Sequence, residues 1–285
     1  MRDAQTPQCA VPGGLAWAAK TNMHLPPSRL KLPVPADNVL LLSPEPATPR
    51  QMVERSLPGL GLALSAGQID ALHAYLGLIS KWTQVYNLTA VRDPAEMVTH
   101  HLLDCLAAMG PLAAHFAHAC HMDRVGLKPQ FGQGNRLLDV GSGAGLPGVV
   151  IAICFPGISV TCVDTVAKKT AFIKQVALTL KLPNLTGLHA RVESLRPPAI
   201  KPFDVVCSRA FASLADFTGW SADALAATGV WMAMKGRQPL DELAALPQGI
   251  DVFHVEQLKV PALDAERCIV WMRKHPSPQV EALPL

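Results

Sequence analysis

The sequence predicts an α/β fold: a doubly wound, mostly parallel seven-stranded sheet ending in an antiparallel hairpin, with an α-helical preface on its N-terminal side. Three observations predict it. Strand-like and helix-like segments alternate from residue 136 onward. Arg136-Leu-Leu-Asp-Val-Gly-Ser-Gly-Ala-Gly-Leu-Pro-Gly148 reads as a buried strand running into a glycine-rich turn and a helix. Residues 259–266 alone join the last two strand-like segments, too few for a helical crossover, so those strands should pair antiparallel.

Residues 1–58 hold ten of the 25 prolines and no sustained apolar period, and read as an extended or disordered extension. A start assigned too early is the other reading, since Met23 and Met52 lie downstream. Residues 59–125 form the preface. Ser65-Ala-Gly-Gln68 is a capping box, followed by Ile69, Leu72, Leu76, Ile79 and Trp82 at helical spacing. Asp93-Pro-Ala-Glu96 starts a second helix with proline at its first position, and Met97, Val98, His101, Leu102, Cys105 and Leu106 make its apolar face. Residues 126–285 form the core, one structural unit with the preface. Strands are expected near 136–140, 159–163, 185–189, 203–207, 229–234, 251–258 and 267–273, and helices near 147–154, 166–181, 213–226 and 238–245.

The glycine turn suits a nucleotide-like ligand at the carboxyl end of the first strand. Gly141, Gly143 and Gly145 permit positive φ and close ligand approach. Gly143, Gly145 and Gly148 also satisfy G-x-G-x-x-G, the dinucleotide pattern. Two features favour S-adenosylmethionine (SAM). Asp139 precedes the first glycine, where a carboxylate would repel a pyrophosphate but could hold an ammonium, and the turn reads best as G-x-G-x-G. Asp164 ends the next strand about 20 residues on, the spacing of a ribose-binding acid. Charged hydrogen bonds to ribose hydroxyls are worth roughly 1.5–3 kcal/mol each. The other reading of Asp164 is a cap for the helix that follows.

Net charge is only +3, but residues 160–240 carry ten Lys/Arg against five Asp/Glu. That excess suits a polyanionic partner or a solvated surface equally. The seven cysteines form no C-x-x-C pair and suit a reducing cytosol. The longest apolar stretch, 149–163, is broken by Pro156-Gly157 and too short to span a membrane. His115, His118, Cys120 and His121 match no standard zinc spacing, so no metal is expected.

The chain resembles the bacterial small-subunit ribosomal RNA guanine-N7 methyltransferases (RsmG, also called glucose-inhibited division protein B). The resemblance runs from about Trp82 to Lys274. It rests on Tyr86-Asn-Leu-Thr-Ala-Val-Arg92 with His101-Leu-Leu-Asp104, on Asp139-Val-Gly-Ser-Gly-Ala-Gly-Leu-Pro-Gly148, and on Lys168-Lys-Thr-Ala-Phe-Ile173. Arg191-Val-Glu193 and Ser208-Arg-Ala210 with Met234-Lys-Gly236 complete it. Cys105 stands where the family usually has Ser, Val192 replaces the commoner Ala, residues 113–135 are longer than expected, and residues 1–58 have no counterpart.

The resemblance implies a Rossmann-like methyltransferase fold, SAM as cofactor, and 16S rRNA in the small ribosomal subunit as partner. The acceptor would be N7 of one guanine (guanine 527) in the 530 loop. A cytoplasmic monomer with no membrane association is expected. Cofactor contacts would fall on Asp139, Gly141, Gly143, Gly145, Leu146, Asp164, Val192, Glu193 and Arg209, with Arg209 facing the methyl-transfer cleft. RNA contacts would fall on Lys168, Lys169, Lys235 and Arg237. Arg209 could instead form a structural salt bridge with Asp204 or Glu193, and Lys235 could simply face solvent. Guanine N7 has an exposed lone pair and no proton to lose, so no general base is needed, and His101 and Asp104 read as a packing pair joining preface to core. Cys207 lacks the following proline of a nucleophilic cysteine. A dinucleotide-dependent oxidoreductase and an inactive ribosome-associated RNA-binding protein are the alternatives.

Overall fold

A computed structural model describes residues 47–123 and 134–275, with the side chains of 118–123 excepted. Seven strands make one sheet: β1 (Arg136–Val140), β2 (Ser159–Asp164), β3 (Leu185–His189), β4 (Phe203–Arg209), β5 (Leu225–Lys235), β6 (Ile250–Leu258) and β7 (Arg267–Lys274). Their order is β3-β2-β1-β4-β5-β7-β6. β1 to β5 are parallel, whereas β7 runs antiparallel between β5 and β6. The order reverses between β1 and β4, and that switch point opens a crevice at the carboxyl ends of the central strands.

The described helices are α1 (Pro49–Ser56), α2 (Ala66–Tyr86), α3 (Pro94–Met97), α4 (Asp104–Ala107), α5 (Met109–Asp123), α6 (Gly148–Cys154), α7 (Ala167–Thr179), α8 (Leu214–Ser221) and α9 (Leu240–Ala244). A π-helical turn, Val98–Leu103, links α3 to α4. Strand periodicity sorts the core into two layers, because successive side chains point to opposite faces. Leu137 and Cys207 pack with the preface, α6 and α7. Leu138, Val140 and Val206 pack on the other face with Leu214 and Phe217 of α8. With both faces covered, β1 is apolar after Arg136 apart from Asp139.

The preface packs through α2 against α6 and α7. The Ser65 capping box is formed in full, each partner satisfying a backbone N–H of the other. Asp93 accepts from the N–H groups of Ala95 and Glu96 and so starts α3. Gln68 also reaches the core: its Nε2 donates to the carbonyls of Ile153 and Cys154, 3.0 Å each, at the carboxyl end of α6.

Two expectations need correction. Ordered structure begins before residue 58. Thr48-Pro-Arg-Gln51 is itself a capping box with proline at the first turn, and the helix it opens buries Val53. The helix expected over 213–226 stops earlier: α8 ends at Ser221, a 3-10 turn spans Ala222–Ala224, and β5 starts at Leu225. Pairing of Leu225 with Phe203 of β4, both buried, overrides the helical preference of that alanine-rich stretch.

Candidate active site

The turn after β1 forms as its glycines require. Gly141, Gly143 and Gly145 have φ of 64°, 57° and 89°. The N–H groups of Gly141 and Ser142 both donate to the Val163 carbonyl, tying the turn to β2. A Cβ on Gly141 would lie 2.4 Å from Cδ2 of Phe211. At Gly145 it would meet Val149 and Ile173, and at Gly148 the Cys162 sulfur and the Asp139 carboxylate. Gly145 and the buried Leu146 therefore shape the turn from behind, Gly143 is tied through its N–H to Asp164, and Gly141 belongs to the cleft wall. From the preface, the buried Tyr75 hydroxyl donates to the Ala144 carbonyl at 2.6 Å. Burial pushes that hydroxyl's pKa well up, which keeps it a donor.

Asp139 does not reach the cleft. It is fully buried, and its Oδ2 accepts the Gly148 N–H at 2.9 Å, anchoring the start of α6. Burial raises its pKa from 3.8 to about 7, with the Gly148 bond and the Arg209 charge pulling the other way. Asp139 thus supports the turn from inside through Oδ2, while its Oδ1 has no hydrogen-bond partner among the described residues; the sequence reading has this carboxylate holding an ammonium directly or through water. Asp164 serves two ends. Oδ2 accepts from Gly143 N at 3.0 Å and Oδ1 from Val166 N at 2.9 Å, so the carboxylate joins the turn to the entry of α7. A carboxylate has about four acceptor sites, and the two left over suit a diol.

The cleft is about 540 Å³, within the range of small-molecule sites. Val140 and Gly141 line it from β1, Val163 to Val166 from β2, Ala190 to Glu193 after β3, and Ala210 and Phe211 after β4. Lys169 of α7 and Trp220 of α8 complete the wall. Lys169 Nζ lies 3.6 Å from Asp164 Oδ2, so this lysine faces the cofactor cleft. Val192 is buried and Glu193 exposed within the short turn Val192–Ser194.

Arg209 departs from its expected position. Its Nη1 donates to Asp104 Oδ2 at 3.0 Å and to the His100 carbonyl at 3.0 Å, and it does not line the cleft. Asp104, 2% exposed, also accepts from Arg267 Nε at 2.7 Å. Neither Asp204 nor Glu193 is the salt-bridge partner; Asp204 accepts the backbone N–H of Arg136. His101 is buried, 2.8 Å from the Thr89 hydroxyl, and burial together with Arg209 lowers its pKa to about 4. The doubly paired Asp104 joins preface to sheet, as the helix-face reading expects of the pair, whereas the neutral His101 bonds Thr89 within the preface itself.

Lys235 is also already engaged. Its ammonium lies 2.8 Å and 3.0 Å from the two Glu242 oxygens, which removes it as a free phosphate contact. Lys168 and Arg237 are exposed. Burial raises the pKa of the fully buried Cys207 thiol far above its ordinary value, so it is inert as a nucleophile. His118, Cys120 and His121 lie outside the described side chains.

Sequence reasoning missed Tyr75, Phe211 and Trp220. Phe211 could have been found from its place directly after Ser208-Arg-Ala210. Tyr75 and Trp220 carry no local signal, because tertiary packing alone brings their helices to the turn and the cleft.

The switch-point cleft, the glycine cradle closed to any larger residue at Gly141, and the spare acceptor sites of Asp164 fit a nucleoside-bearing cofactor. With the sheet order they define a SAM-dependent methyltransferase. The family described as rRNA small subunit methyltransferase G matches residues 68–270. This chain is 67% identical over 224 residues to Ribosomal RNA small subunit methyltransferase G of Polaromonas naphthalenivorans (strain CJ2), covering 79% of this chain and 95% of that protein. It is 65% identical over 223 residues to the protein of that name from Polaromonas sp. (strain JS666 / ATCC BAA-500), covering 78% and 92%. At 54% identity over 224 residues, the Methylibium petroleiphilum (strain ATCC BAA-1232 / LMG 22953 / PM1) protein of that name covers 79% and 94%. The chain belongs to the rRNA small subunit methyltransferase G family, GidB, and methylates 16S rRNA with SAM as donor. That membership sets the dinucleotide reading aside.

Proposed function

We propose that the protein transfers the methyl group to N7 of one guanine, guanine 527, in the 530 loop of 16S rRNA, acting as a cytoplasmic monomer. The observation that carries this reading is the character of the cleft edge after β4. Ala210 and Phe211 form it, while Arg209 is held by Asp104 and Cys207 and His101 are buried. None of the three is placed to take a proton or form a covalent adduct. An acceptor with an available lone pair and no proton to lose fits such an edge, and guanine N7 is one. Five cysteines of the described residues are free, buried thiols, which supports a reducing compartment. Among the described residues no helix is long and apolar enough to cross a membrane.

When bound, SAM supplies an electrophilic methyl on a sulfonium. The chain's own residues bind and orient. Asp164 takes the ribose hydroxyls on its spare acceptor sites. Backbone groups at Val192 and Glu193 read the adenine edge. Gly141 allows the Phe211 ring to close on the turn at the cleft wall. Asp139, Gly143, Gly145 and Leu146 hold the turn's shape, and Arg209 fixes the end of β4 through Asp104. Orientation of this kind can contribute roughly 7–11 kcal/mol to a two-body reaction. Exposed Lys168 and Arg237 draw the rRNA backbone towards the cleft.

Transfer of labelled methyl from SAM to small subunits from cells lacking this gene tests the proposal, with the product mapped by cleavage at 7-methylguanine. Label at one guanine of the 530 loop is expected. Label at another atom or site overturns the acceptor assignment, and tight SAM binding with no labelled rRNA favours the inactive RNA-binding reading.

A further inference from the structure

Trp220 is 43% exposed, unusual for so large an apolar ring, and the exposed part lines the cofactor cleft. Its helix, α8, packs against the turn Val192–Ser194, and the indole lines the same cleft as Val192 and Glu193, whose backbone is assigned above to the adenine edge. Phe211 meets it edge-on, with ring centroids 5.8 Å apart at 82°, and also meets Phe217 edge-on at 6.3 Å. The same Phe211 ring covers Gly141 closely enough to exclude a Cβ there. One aromatic run therefore extends from the buried Phe217 through Phe211 to the open face of Trp220. It spans the cleft wall from the glycine turn to the adenine end. An indole braced edge-on and open on one side is an arrangement suited to stacking on a flat heteroaromatic ring.

We infer that Trp220, braced by Phe211, is the stacking wall for the purine of the cofactor. The inference rests on the cofactor reading above and adds residues to it. The cofactor's purine is favoured over an RNA base because the indole shares its cleft with Asp164, Val192 and Glu193. A base entering for methylation must reach the sulfonium methyl, which is held beyond the 5′ carbon of the ribose and away from the purine. The other tryptophans of the described residues, Trp82, Trp231 and Trp271, do not line the cleft, so among these four Trp220 is the one placed to report on this wall, and the Trp220→Phe variant isolates its share of the signal.

The test uses the full chain titrated with S-adenosylhomocysteine, followed by tryptophan fluorescence and by calorimetry. Wild type is expected to bind with a change in fluorescence. Trp220→Phe should bind within about threefold of wild type but lose most of that change, since a phenyl ring still stacks. Trp220→Ala should weaken binding about tenfold or more, the usual scale for removing an aromatic platform, while leaving KM for rRNA at saturating SAM unchanged. Circular dichroism checks that this exposed site tolerates alanine. Wild-type affinity in Trp220→Ala overturns the inference and leaves the cofactor reading intact. Unchanged cofactor affinity with a raised KM for rRNA assigns the wall to an RNA base instead. A wild-type chain that binds no S-adenosylhomocysteine overturns both.

Discussion

The carboxylate of Asp104, in the helical preface, lies 3.0 Å from the guanidinium of Arg209 at the end of β4. A second arginine, Arg267 at the start of β7, holds its other oxygen at 2.7 Å. One buried carboxylate thus ties the preface to two strands of the sheet beside the cleft. Asp104→Ala would leave two arginines without their counter-charge. Breaking such a pair costs about 3–5 kcal/mol, and Asp104→Asn, which keeps an acceptor, should cost less. Urea unfolding of both variants checks this. A loss below about 1 kcal/mol in Asp104→Ala, the scale of an exposed pair, would show that the joint contributes little.

The glycine turn gives a ranked series. Alanine at Gly141 or Gly143 must adopt positive φ, costing roughly 1 kcal/mol in either case. Only at Gly141 does the new Cβ also meet a ring, 2.4 Å from Phe211, whereas at Gly143 the nearest contact is the Gly141 carbonyl, 3.9 Å away. Gly141→Ala should therefore lose more S-adenosylhomocysteine affinity than Gly143→Ala. Calorimetry measures both, and the reverse order contradicts the cleft geometry.

Tyr75→Phe removes one hydrogen bond and leaves the Ala144 carbonyl without that donor. An unsatisfied buried acceptor costs about 1–3 kcal/mol. The melting temperature should fall and cofactor affinity should weaken several-fold, because the carbonyl belongs to the glycine turn. Unchanged affinity alongside a lowered melting temperature would confine Tyr75 to packing.

Asp139 makes stability depend on pH in a defined direction. Its pKa rises from 3.8 to about 7 on folding, so the folded state holds the proton more tightly. Its contribution is fully present below about pH 4 and is lost as pH rises through about 7. Relative to Asp139→Asn, the wild type should lose stability across that interval and level off above it. Urea unfolding of the pair from about pH 5 to about pH 8 reads the difference. A difference that does not change with pH would mean Asp139 keeps an ordinary carboxylate pKa.

The salt dependence of rRNA binding separates free cations from paired ones. Lys168→Ala and Arg237→Ala should each lower the slope of log affinity against log salt by about 1. Lys235→Ala should leave it unchanged, since Glu242 already neutralises that ammonium. A drop at Lys235 equal to that at Lys168 would mean the pair opens when RNA binds.

Local physics made much of the molecule legible in the sequence. The strands, the capping box at Ser65, the helix cap Asp93, the glycine turn and Asp164 each declare themselves within about a dozen residues, through periodicity, hydrogen-bond chemistry or the steric freedom of glycine. The hairpin was legible too, because eight residues cannot cross a sheet. Tertiary structure decided what those residues face. Asp139 and Asp164 are both strand-end carboxylates, yet packing buries the first beneath α6 and leaves the second on the cleft wall. Arg209 and Lys235 read as free cations until Asp104, 105 residues away, and Glu242 are brought beside them. Trp220 and Tyr75 gain their places only when α8 and α2 dock. A sequence pattern fixes the geometry a segment prefers, but a side chain's partner is chosen by which elements pack together, and burial then determines whether its charge points to a ligand or is spent within the fold.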